Sequence, residues 1–317
     1  IKYSIGVANG SDALELSFQA LNLKKNDEVL TTANTFVSVI NAIKKFSANV
    51  KFIDIDETLN INPEIIEKNI SKKTKILVVT HLNGMPCCMS KIISICKKHS
   101  IKIVEDCSQA FGSEYNGKKV GTLGDIGIFS LHPTKNLGVF GDGGLITTSN
   151  LQIKNKIMIL RNHGLRNRDD LSDFGRNSRL DELQAVIGLL MLKKIDKIIN
   201  KRIRISKIYD KGLSSSVITP RYGCCKNIKH TFHRYVIRVN PRIRNKLVKN
   251  LLKKKVDVKI HYKKNLHQTK VFQGKKFINL EKTENISKEM LSLPIDENLS
   301  HQQISYVIKN VNFFLIK

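Results

Sequence analysis

The chain has 317 residues, 41% of them hydrophobic, with 54 Lys and Arg against 27 Asp and Glu, a formal net charge of +27. This length admits one large and one smaller domain, and this composition excludes an intrinsically disordered chain. No apolar run approaches the roughly 20 residues of a membrane-spanning helix; no signal segment opens the chain at Ile1-Lys2-Tyr3, so a cytoplasmic protein with no membrane partner is expected, with a segment missing before Ile1.

In chain order, short β-branched runs alternate with helical patterns. Strands are predicted over 28–32, 50–55, 75–80, 101–105, 126–130 and 145–148, and helices over 11–21, 35–45, 63–69, 90–99 and 152–162. This alternation implies crossover units in an α/β fold with a mostly parallel central sheet. Continuously apolar strands such as KILVV and IKIVE require helices on both faces. A long helical pattern over 181–213 leads to a second region with a strand (233–239), a helix opening at Pro241, a strand (257–260) and a final helix from Ser300. The domain change is placed near residue 205, giving a large domain over 1–205 and a smaller α+β domain over 206–317.

Ligands of such sheets bind beyond the C-terminal strand ends. Asp106 and Gln109 end one strand pattern, and Ser130 and Lys135 follow another 24 and 29 residues on from Asp106. An amine and a carboxylate at neighbouring strand ends are what pyridoxal phosphate (PLP) chemistry needs. The amine forms a Schiff base with the aldehyde, and the carboxylate keeps the pyridine nitrogen protonated. Seen singly, Lys135 reads as a surface charge and Asp106 as a cap. Asn9-Gly10-Ser11-Asp12 opens a helix, where free N–H groups suit a phosphate; alternatively Ser11 or Asp12 simply caps it. Gly141-Asp142-Gly143-Gly144 marks a tight turn or a close backbone approach.

Taken together, NGSDAL (9–14), the segment 27–43 with Phe36, VVTHLNGMP (78–86), VEDCSQAFGS (104–113), the segment 124–144, LRNHG (160–164) and NSRLDELQA (177–185) resemble, in order and spacing, the DegT/DnrJ/EryC1/StrS sugar aminotransferases. The resemblance implies a fold-type I PLP enzyme in which Lys135 binds the cofactor and shuttles the proton. It implies that Asp106 pairs with the pyridine nitrogen, Gln109 contacts the ring oxygen and Phe36 stacks on the ring. Gly10, Ser11, Asp12 and Ser130 would hold the phosphate. Asn177 would reach the phosphate of a partner subunit in a homodimer, with Arg179 supporting its loop. The implied reaction moves an amino group, generally from L-glutamate, to a keto group of a nucleotide-linked deoxysugar, for surface polysaccharide or glycoside biosynthesis. The chain departs from the family at His81-Leu82-Asn83-Gly84, where relatives often read HLYG. It departs again at 260–268, which keeps His261, Tyr262 and His267 but lacks the usual prolines.

A sugar dehydratase of the same family would carry histidine at position 135, and a non-catalytic regulatory relative would be free to lose Lys135, Asp106 or Gln109. The charge is uneven: 17 basic and 14 acidic residues over 1–150, 37 and 13 over 151–317. The lysines are dispersed with few aromatics for base stacking, so a solvated surface is expected and nucleic acid is not. Cys87, Cys88, Cys96, Cys107, Cys224 and Cys225 fit neither a zinc pattern nor a secreted scaffold, and no metal is expected.

Overall fold

The computed structural model describes residues 1–222, 227–277 and 279–316; Cys224 and Cys225 lie outside the described residues. Its centre is a seven-stranded sheet of β1 (Tyr3–Val7), β2 (Glu28–Thr32), β3 (Asn49–Ile53), β4 (Thr74–Thr80), β5 (Lys102–Asp106), β6 (Ile126–Ser130) and β7 (Gly144–Thr148). The order is β1-β7-β6-β5-β4-β2-β3. Only β7 runs antiparallel to its neighbours, and the rest point the same way.

Side-chain alternation along these strands feeds two cores. Ile76 and Val78 of β4 join one with Leu14 and Phe18 of α1 (Gly10–Ala20), Ile43 of α2 (Ser38–Lys45) and Ile157 of α4 (Leu151–Leu160). Leu77 and Val79 point the other way, to Ile92 and Ile95 of α3 (Met89–Lys98). Helices therefore cover both faces, as the apolar strands require. The first strand, β1, was not evident in the sequence: its pattern is half exposed, and it is held as an edge by pairing with β7. The helix expected over 63–69 is two short 3₁₀ turns, Pro63–Ile65 and Glu67–Asn69.

The long pattern over 181–213 is two helices, α5 (Glu182–Leu192) and α6 (Ile195–Gly212), broken at Lys193-Lys194. A separate core gathers Ile205 and Tyr209 of α6 with Leu247 and Leu251 of α7 (Pro241–Lys253) and Val307 and Val311 of α9 (His301–Ile316). It packs on an antiparallel pair, β8 (Tyr235–Arg238) and β9 (Met290–Leu293), with α8 (Glu281–Glu289) leading into β9. Of the strand expected over 257–260, only one bridge forms, Lys259 to Ser292.

Candidate active site

Asp106 is the last residue of β5 and Ser130 the last of β6, while α1 opens three residues after β1 ends, so all three reach the same edge of the sheet. Gly144, which begins β7, pairs with both Val7 and Ser130. A Cβ there would stand 2.5 Å from the Asn9 carbonyl oxygen, so only glycine lets the α1 entry close on the sheet. The cap of α1 is Asn9, and neither Ser11 nor Asp12: the Asp12 N–H donates to Asn9 Oδ1 at 2.8 Å, because the residue before the first helical turn is the one whose side chain reaches back. The first helical bond runs from Ala13 N–H to the Asn9 carbonyl. The N–H groups of Gly10 and Ser11 precede it and are available to an anion. A Cβ on Gly10 would meet the Ser130 Cβ at 2.9 Å, so helix start and strand end form one close-walled cradle. Ser11 shares a 2.8 Å hydroxyl hydrogen bond with Ser38.

A cavity of about 520 Å³ opens from this cradle, and Gly10, Ser11, Asp12, Phe36, Asp106, Gln109, Ser130 and Lys135 all line it. Lys135 sits in a turn closed by its own N–H bonding the His132 carbonyl at 2.8 Å, and Asn136 anchors that loop to the Thr231 carbonyl at 3.0 Å. Burial pushes the Lys135 ammonium down to about 8; the Asp106 carboxylate opposes the shift and the Arg234 guanidinium adds to it. Asp106 is buried and accepts the Ser108 N–H at 3.0 Å. Gln109 accepts the Asn83 N–H at 2.9 Å and donates to the Tyr262 hydroxyl at 3.3 Å. Asn83 reaches this point with φ of 59°, a left-handed backbone that asparagine tolerates, which accounts for its place in the HLNG turn. Phe36 is half exposed, its ring 6.3 Å from that of Tyr262.

Asn177 is the one expected site residue that does not line the cavity. It bridges to Asn162, whose side-chain oxygen accepts from Arg179 at 2.7 Å. Of the 260–268 segment, Tyr262 lines the cavity, whereas His267 pairs with Glu284 at 2.9 Å against Phe52 and Phe277. Sequence reasoning missed Arg234, which also lines the cavity; its only signal was a charge at the start of an apolar strand pattern.

A lysine amine poised for deprotonation, a buried carboxylate and an anion cradle sharing one cavity are the donor set of a PLP-dependent transaminase, and these residues fit that cofactor. The sequence profile of the DegT/DnrJ/EryC1/StrS aminotransferase family matches residues 1–312, and the chain belongs to that family. It is 37% identical over 320 residues to a "Pleiotropic regulatory protein" of Geobacillus stearothermophilus, covering 99% of this chain and 85% of the relative. It is 38% identical over 313 residues to a dTDP-3-amino-3,6-dideoxy-alpha-D-galactopyranose transaminase of Aneurinibacillus thermoaerophilus, covering 98% and 85%. Among solved structures, it superposes on ntdA of Bacillus subtilis with bound cofactor PMP at a TM-score of 0.92 and 28% identity, covering 100% of this chain and 74% of that one. The protein is a PLP-dependent aminotransferase.

Proposed function

We propose that the protein transfers an amino group from L-glutamate to a keto group of a nucleotide-linked deoxysugar, as a cytoplasmic homodimer, for surface polysaccharide or glycoside biosynthesis. The observation that carries this is the lysine with its pKa brought down to about 8 in the same cavity as Asp106 and Gln109. The transaminase named for a dTDP-linked amino sugar, alike over nearly the whole chain, supports the substrate class. Free thiols at buried Cys96 and Cys107 agree with a reducing compartment.

PLP, when bound, supplies the aldehyde that takes up amino groups and a ring that delocalises the electrons left by a broken C–H bond. Lys135 Nζ takes and returns the migrating proton, a role its lowered pKa suits near neutral pH. Asp106 would hold the pyridine-nitrogen proton in place, Gln109 would bond the ring oxygen, and Phe36 would cover the ring face. Gly10, Ser11 and Ser130 would grip the phosphate with backbone and hydroxyl donors; Asp12 helps position the helix start, its carboxylate 3.8 Å from Arg176. The division near residue 205 belongs to the same reading: the larger domain brings the cofactor residues, and the smaller one brings Arg234 and Tyr262 to the cavity.

Dimerisation has its own support. No residue of α5 is buried, and Leu183, Val186, Leu189 and Leu190 are all more than half exposed, as are Phe140 and Phe174. So large an apolar face calls for a cover, and a second copy would also carry Asn177, outside its own cavity, toward its partner's phosphate. Replacing Val186→Arg and Leu189→Arg together should convert a dimer into a monomer with weakened PLP binding, measured by light scattering and cofactor titration. A monomeric wild-type protein would refute the dimer.

The function itself is tested by the absorbance of the PLP-loaded protein. L-Glutamate should shift the cofactor band to that of the aminated form, and a nucleotide-linked keto-sugar should reverse the shift. Tight PLP binding with no response to any amino donor would overturn this reading in favour of a regulatory protein, the role for which the Geobacillus relative is named.

A further inference from the structure

Several enclosed arginines are paired with carboxylates, Arg202 with Glu297 at 2.9 Å, Arg238 with Glu289 at 2.7 Å, and Arg176 with Glu15, while Arg161 and Arg244 bond the backbone carbonyls of Gly6 and Met290 instead. Arg234, half-buried, also lacks a carboxylate, and unlike Arg161 and Arg244 it stands in the wall of the Lys135 cavity. Among the described residues it has no carboxylate within ion-pair distance. Its guanidinium lies 5.6 Å from the centre of the Tyr262 ring and makes one long bond, 3.4 Å, to Gln109 Oε1, an oxygen already engaged by the Asn83 N–H. A guanidinium carries five N–H donors in a planar fork suited to a carboxylate. It stands near enough to Lys135 to act on it electrostatically, and at the Gln109–Tyr262 side of the cavity, whereas the phosphate cradle is built by Gly10, Ser11 and Ser130.

The geometry points to Arg234 as the receptor for the carboxylate of the amino donor. This rests on the aminotransferase reading and deepens it. A donor amino acid must bring its amine to the point where Lys135 works, and its α-carboxylate hangs from the same carbon as that amine. An unpaired cation beside the lysine, stiffened by an aromatic ring, therefore fixes the donor carbon while leaving the amine free to react. The cation–π contact with Tyr262 holds the fork without neutralising it.

The test uses the PLP-loaded protein, an Arg234→Gln variant and an Arg234→Lys variant, with glutarate as an unreactive dicarboxylate read through the cofactor absorbance. Arg234→Gln is expected to weaken glutarate binding and raise the KM for L-glutamate by about 30-fold, as loss of a charge-assisted hydrogen-bond pair does. Arg234→Lys should recover part of both, and PLP affinity should show that each variant is folded. Equal glutarate affinity in wild type and Arg234→Gln would overturn the inference. So would a KM effect that falls on the nucleotide sugar and spares glutamate. Arg234-dependent glutarate binding in a protein that glutamate never converts would uphold the carboxylate receptor and refute the aminotransferase reading instead.

Discussion

A Lys135→Ala protein is expected to lose glutamate-dependent amination by at least about 10³-fold, because one change removes both the covalent anchor and a general acid–base group, the latter alone worth roughly 10²–10⁴. PLP should still bind through the cradle and Asp106, more weakly and without the absorbance of the lysine-linked form. Added methylamine should restore part of the rate by supplying an amine that can deprotonate; wild-type turnover by the variant would refute the assignment. The same residue has a signature in stability. Burial holds the Lys135 ammonium down at about 8, below the ordinary 10.5. Between those values the unfolded chain binds the proton that the folded one lacks, so Lys135 makes the cofactor-free protein more stable as pH rises from about 8 to 10.5. Melting curves of wild type and Lys135→Ala at pH 7.5 and 10 should diverge in that sense, the variant lacking the rise.

The parts of this site that were legible in the sequence are those set by local pattern. Asp106 and Ser130 could be placed because an apolar run must end somewhere, and in a parallel sheet it ends at the ligand edge. The glycines at 10 and 144 were legible as turns, but what they permit, the closing of α1 onto Ser130 and β7, needed the third dimension. Arg234 and Tyr262 come from chain 99 and 127 residues beyond Lys135 and carry no spacing signal relative to it; only the docking of β8 and the 260–268 segment brings them in. The helical pattern over 181–213 held except at one break: α5 turns only Ile187 and Met191 toward the Leu131 and Ile195 cluster and leaves its other large apolar side chains exposed, so its apolar spacing did not mark a single core face. Its break from α6 at Lys193-Lys194 was masked by the good helix propensity of lysine.

Glu105 shows how adjacent residues on one strand divide the work, and its loss should have the largest effect on stability. Alternation on β5 sends Asp106 into the cavity and Glu105 to the opposite face. There, fully buried, Glu105 accepts the Gly121 N–H at 2.9 Å and the Leu123 and Gly124 N–H groups at 2.7 Å. His81 Nε2 completes the set at 3.0 Å; the Cys87 N–H donates to His81 Nδ1, so the ring proton sits on Nε2, facing the carboxylate. Burial alone would push the Glu105 carboxyl up, but the His81 hydrogen bond and the backbone donors outweigh it and hold it below the ordinary 4.5. Glu105→Ala would strand the buried Gly121 N–H, the part-buried Leu123 and Gly124 N–H groups and one buried imidazole. Removing one partner of such a buried pair costs about 3–5 kcal/mol, so the melting temperature should drop by roughly 6–15 °C. Because the folded-state pKa is depressed, the contribution of Glu105 is complete above the ordinary carboxylate value and fades as pH falls below it. The gap between wild type and variant in calorimetric melts should therefore narrow from pH 7 toward pH 3. A variant that melts with the wild type at pH 7 would mean that the 121–124 loop is held by other contacts and that Glu105 does not brace the strand carrying Asp106.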